Sequence, residues 1–121
     1  MRKRVLIADD SLHVRDVLRM FLSEAKEIEI CGEAVDGLDA VEKAVNLAPD
    51  LILLDLAMPQ MNGAEVASVL KKKMPRMRII LFTMYNENIG TSLSSAVGVD
   101  IVLSKPDGLS QILKSVRSLL A

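Results

Sequence analysis

The chain has 121 residues and a net charge near −1, from 15 basic and 16 acidic side chains. That length holds one aliphatic-cored domain, residues 1–121, and the half-hydrophobic composition excludes a disordered chain. Three aromatic residues and the lack of a basic half exclude direct nucleic-acid binding by stacking or by electrostatics, and no apolar run approaches the length of a membrane span.

Arg2-Lys3-Arg4 precedes a short apolar run stopped by two aspartates, unlike a secretory leader, so a cytoplasmic protein is expected. The first strand spans residues 4–8 and ends at Asp9-Asp10. Ser11 caps a helix whose apolar positions Val14, Val17, Leu18, Phe21 and Leu22 recur at helical spacing. Ile28 to Ala34 alternates as a half-exposed edge strand does. It contains Cys31, the one cysteine, expected as a small buried hydrophobe. Asp36-Gly37 reads as a turn. A second helix, Leu38 to Leu47, would face Leu38, Val41, Ala44 and Val45 inward, and Pro49 closes it.

Leu51 to Leu54 is a run of four large apolar residues, the pattern of a strand buried on both faces, and it ends in Asp55. The loop through Pro59 to Gly63 holds an Asn62-Gly63 pair suited to positive φ. A third helix takes Ala64 to Lys72, with Val66, Val69 and Leu70 inward. Its basic end, Lys71-Lys72-Lys73, suits the helix dipole. The next strand, 78–82, stops at Thr83. Tyr85 to Ala96 is a marginal fourth helix, rich in Asn, Ser and Gly. The last strand, 100–104, reaches Lys105-Pro106, and a final helix over 107–120 buries Leu109, Ile112, Leu113, Val116 and Leu120.

Five βα units imply an α/β fold with a parallel five-stranded sheet between two helical layers. Order 2-1-3-4-5, the flavodoxin-like arrangement, makes the first and third strands neighbours at a switch point. Asp9, Asp10 and Asp55 then meet at one mouth. Mutually repelling carboxylates with oxygen donors alone call for a hard cation, and Mg2+ suits a site that also takes phosphate oxygens. Lone His13 falls beside this mouth and is expected as a solvated surface residue.

Asp9-Asp10-Ser11, Leu53 through Gly63, Leu81-Phe82-Thr83 and Lys105-Pro106, in this order, resemble the receiver domain of bacterial two-component response regulators. The resemblance implies that Asp55 accepts a phosphoryl group from a sensor histidine kinase or a small phosphodonor. It implies Mg2+ held by Asp10, Asp55, the Ala57 backbone carbonyl and, through water, Asp9. Thr83 and Lys105 would contact the phosphoryl oxygens, with a cis peptide before Pro106. The implied outcome is a switch of the face made by the fourth helix, fifth strand and final helix. That face would serve an output domain controlling transcription, or a second copy. Two positions depart from the family pattern. Met84 stands where a small residue is usual, and Val102 replaces an aromatic switch residue. Ala57 and Tyr85, neither acidic nor amide, flank the route of hydrolytic water, so a long-lived phosphate is expected. A degenerate receiver that binds partners without phosphorylation is the alternative. An aspartyl-nucleophile phosphatase is a third reading, disfavoured because Ala57 stands where its second acid belongs, and a flavin binder would not place two aspartates in its phosphate loop.

Overall fold

A computed structural model describes residues 2–83, 99–104 and 111–121. Its strands are β1 (Lys3–Ala8), β2 (Ile28–Ala34), β3 (Leu51–Asp55), β4 (Arg78–Thr83) and β5 (Ile101–Ser104). The helices among the described residues are α1 (Leu12–Ser23), α2 (Gly37–Leu47), α3 (Gly63–Lys73) and, at the C-terminal end, α4 (Ile112–Leu120). All pairings are parallel and the order is β2-β1-β3-β4-β5. The helix expected over 85–96, Met84, Lys105, Pro106 and the start of the final helix lie outside the described residues.

Strand periodicity sorts the core into two layers. Leu6, Ile52, Leu54, Ile79 and Leu81 face Ala40, Ala44, Val66 and Leu70 of α2 and α3. Val5, Ile7, Leu51, Leu53, Ile80 and Phe82 face Leu18 and Leu22 of α1 and Ile112 and Val116 of α4. Every residue of β3 is buried, as a strand covered on both faces requires. β2, at the sheet edge, is half-buried along most of its length.

Helix ends follow side-chain chemistry. The Ser11 hydroxyl accepts from the Val14 N–H, as expected, and Asp36 caps α2 through the Asp39 N–H (2.8 Å). Asn62 and Glu65 form a reciprocal capping box at the start of α3. Asn62-Gly63 is therefore not a positive-φ turn. The left-handed residue of that loop is Gln60 (φ 71°). Ala48, before Pro49, closes α2 in the left-handed region (φ 47°). Alanine pays a steric cost there that glycine does not, so Ala48→Gly is expected to raise stability by about 0.5–1 kcal/mol, read from urea unfolding midpoints.

α2 sits at a different phase from the one expected. Leu38 and Val45 are 58% and 49% exposed, whereas Gly37, Ala40 and Ala44 are buried. Close approach selects the small stripe. A Cβ on Gly37 would lie 1.8 Å from the Met61 carbonyl oxygen, so only glycine lets α2 begin against that backbone. Cys31 is half-buried against the same core, and burial pushes its thiol pKa up. Lys71, in the basic end of α3, pairs with Asp100 (3.5 Å), whose Oδ2 also accepts from the Ile79 N–H.

Candidate metal and phosphoryl-acceptor site

The site follows from register. β1 and β3 run side by side with Ala8 opposite Leu54, so one further step sets Asp9 beside Asp55. Asp9 continues the series Val5, Ile7, and Asp55 continues Leu51, Leu53. Both carboxylates thus leave the sheet with the parity of its α1 and α4 layer, at the C-terminal edge where open parallel sheets bind ligands.

Carboxylate oxygens of Asp9, Asp10 and Asp55 lie within 4.8 Å of one another. Asp9 and Asp55 are buried, whereas Asp10 is exposed. Like charges this close are unfavourable without a cation. The donor set is all oxygen and one side is open to solvent, which fits a hard divalent ion that keeps waters.

The surrounding backbone fixes these groups. Asp9 Oδ1 accepts from the Ser11 N–H (2.7 Å), and the Asp9 N–H donates to the Ala34 carbonyl (3.0 Å). Asp55 Oδ1 accepts from the Ala57 N–H (3.2 Å). The Leu56 N–H donates to the Phe82 carbonyl and the Gly63 N–H to the Leu56 carbonyl, at 3.0 and 2.9 Å. The end of β3 is thereby stitched to β4 on one side and to the start of α3 on the other. Thr83 closes β4 one residue past Phe82, the register partner of Asp55, and stands opposite Ser104. Val102 lies in β5 opposite Leu81, partly buried against the α2–α3 layer. His13 is exposed on the first turn of α1.

A charged network that sequence reasoning missed borders the site. Glu33 on β2 takes a hydrogen bond from Arg15 Nε (2.9 Å) and one from Arg19 Nε. Burial pushes the Glu33 carboxyl up, but the hydrogen bonds and charges of Arg19 and Arg15 outweigh it and hold the pKa below the ordinary 4.5. A lowered folded pKa gives stability that is present above the unfolded value and lost as pH falls through the folded one. Glu33→Gln is therefore expected to cost about 1–2 kcal/mol at pH 7. That difference should fade as the pH falls below about 4.5 and the native carboxyl protonates, in thermal melts followed from pH 7 to 3.

Residues 5–117 match the family model for the response regulator receiver domain. The chain belongs to that family. The receiver is 37% identical over 114 residues to the response regulator protein VraR of Staphylococcus saprophyticus, covering 94% of this chain and 54% of that protein. VraR of Staphylococcus aureus strain NCTC 8325 is 35% identical over 117 residues, covering 97% of this chain and 56% of that protein. The receiver spans about half the length of these relatives. Among solved structures, the response regulator domain of Thermotoga maritima CheB superposes with a TM-score of 0.90 at 32% identity, covering 99% of this chain and 97% of that one. The REC domain of AraT from Geobacillus stearothermophilus gives 0.85 at 31% identity, covering 99% and 96%. The receiver fold expected from the resemblance is thus confirmed, as is the membership in two-component signalling. No helix among the described residues is long and apolar enough to cross a membrane.

Proposed function

We propose that Asp55 is the phosphoryl acceptor of this receiver and that residues 1–121 act as one switchable unit, receiving a phosphoryl group rather than turning over a substrate. The convergence of Asp9, Asp10 and Asp55 oxygens within 4.8 Å at the ends of β1 and β3 carries this reading. Asp55 is buried at its strand end, with its carboxylate close to that of exposed Asp10. The Asp55 carboxylate attacks the phosphorus of a kinase phosphohistidine. The phosphorus–nitrogen bond breaks, an acyl phosphate forms, and the imidazole takes up a proton as it leaves.

Asp10, Asp55, the Ala57 carbonyl and, through water, Asp9 would hold Mg2+, which would supply positive charge to offset that of a transferring phosphoryl group. The chain's own contribution is placement. The Ala57 N–H steadies the Asp55 carboxylate through Oδ1 and so fixes its orientation at the strand end. Thr83, at the end of β4, and Lys105 are both assigned to the phosphoryl oxygens by the family pattern. Phosphorylation adds charge and acceptor oxygens that these groups follow, which biases the β4–β5 side toward a new arrangement. In a protein of the relatives' length, that change controls an output carried by the other half, in the cytoplasm, through contact with the output domain or a second copy. The donor partner is a sensor histidine kinase.

Intact mass after incubation with Mg2+ and acetyl phosphate tests the reading. One phosphoryl group should add to the unmodified chain, and none should add without Mg2+ or in Asp55→Asn. No addition from any donor would favour a receiver that binds partners without phosphorylation.

A further inference from the structure

Arg15 projects from α1 back to the end of β1, and its side chain is 11% exposed. Nη1 donates to the Asp9 carbonyl oxygen (2.8 Å), and Nε donates to Glu33 Oε1 (2.9 Å). Burying a guanidinium is costly unless its partners are well placed, and here they are. Ala34 consequently holds the Asp9 N–H, Ser11 its Oδ1 and Arg15 its carbonyl. The far end of the clamp is itself fixed. Lys43 Nζ donates to the Glu33 carbonyl and to Asp39 Oδ2, and Asp39 Oδ2 also accepts from the Val35 N–H (3.0 Å).

We infer that Arg15 is a positioning residue for the cation site: it fixes the Asp9–Asp10 peptide so that both carboxylates stay at the mouth, without touching the cation. The inference rests on the proposed reading of that cluster as a cation site. The carbonyl that Arg15 grips belongs to the peptide joining the two adjacent acids. With three carboxylates crowded within 4.8 Å, mutual repulsion favours rotating that peptide outward. A hydrogen bond to its carbonyl from a largely shielded, doubly anchored guanidinium opposes the rotation. Lysine in its place carries the charge but lacks the planar fork that spans both acceptors.

Arg19 provides the internal comparison. It pairs with the same Glu33 carboxylate, through Oε2, but is 49% exposed. Arg15→Gln combined with Glu33→Gln removes the clamp without changing net charge, so it separates geometry from electrostatics.

The experiment measures Mn2+ affinity by electron paramagnetic resonance of the free ion. It compares the unmodified chain, Arg15→Gln/Glu33→Gln, Arg15→Lys and Arg19→Gln. Amide hydrogen exchange at Asp10 and Ser11 is followed in the metal-free proteins. The double variant should bind Mn2+ about ten-fold more weakly. Arg15→Lys should bind about three-fold more weakly and Arg19→Gln within about two-fold of the unmodified chain. Exchange at Asp10 and Ser11 should accelerate in both Arg15 variants and not in Arg19→Gln. Equal effects at Arg15 and Arg19, or unaltered affinity in the double variant, would overturn the inference. If the double variant does not fold, Arg15→Lys decides between the same outcomes. Failure of the unmodified chain to take up Mn2+ would instead remove the cation-site reading. The exchange rates would then decide the role of Arg15, with unchanged rates overturning it.

Discussion

Gly63→Ala is expected to lower the unfolding free energy by about 2–4 kcal/mol and to slow phosphoryl uptake at Asp55 more than ten-fold. A Cβ at Gly63 would lie 2.4 Å from the Asp55 carbonyl oxygen and 2.9 Å from the Leu56 Cα. Both obstacles are backbone, so relief requires α3 to lift or the end of β3 to shift. Either movement strains the bond from the Gly63 N–H to the Leu56 carbonyl (2.9 Å) and displaces the acceptor. A displacement of about 1 Å is enough to cost a factor of 100 in an oriented transfer. Gly32→Ala is the contrasting case. Its Cβ would meet Leu47 Cδ1 at 2.9 Å, the far end of a side chain that can turn away, on a strand remote from Asp55. It should cost less than about 1 kcal/mol and leave uptake unchanged. Urea unfolding gives the first quantity. Initial rates of mass gain, taken where each variant is folded, give the second.

Asp10→Asn is expected to move stability in opposite directions with and without divalent metal. In metal-free buffer it removes one of three crowded carboxylates. Because Asp10 is exposed, the relief is discounted for screening, and a gain of up to about 1 kcal/mol is expected. With Mg2+ at ten times its dissociation constant, the unmodified chain gains about 1.4 kcal/mol by mass action, and the variant should gain almost nothing. Thermal melts across a Mg2+ titration would cross. A variant that loses stability under both conditions, in parallel with the unmodified chain, would show that Asp10 is a structural cap and not a ligand.

The sheet was legible because its signals are local. Buried strands announce themselves as apolar runs, and a carboxylate at the end of such a run is conspicuous. Asp9 and Asp55 could be placed together once the parallel order was inferred, and the register bears this out. What could not be read depended on contacts distant in the chain. The phase of α2 is set by Gly37 meeting Met61, and helical periodicity alone favours the bulkier Leu38 as an inward residue. Asn62-Gly63 has the composition of a turn. It serves as a helix cap because Glu65 completes the box and because the space beside Asp55 excludes a side chain. The Arg15–Glu33 pair joins α1 to β2, and nothing in either segment names the other. Thr83 and Lys105 rest on the family pattern, since strand-end position alone does not identify a phosphoryl contact.

The two glycines that flank the acceptor loop give it an asymmetry. On one side Gly63 seats α3 on the backbone of Asp55, and on the other Gly37 seats α2 on the backbone of Met61, with its N–H toward the Pro59 carbonyl (3.4 Å). Two helices thus hold the loop at main-chain distance, where the nearest atom to a Cβ on each glycine is a backbone carbonyl oxygen that cannot turn away. On the proposed reading, a phosphoryl group at Asp55 would meet an anvil on that side. The response to its charge would then be left to the other side of the sheet, toward β4 and β5. The direction of such a signal would be set as much by what refuses to move as by what does.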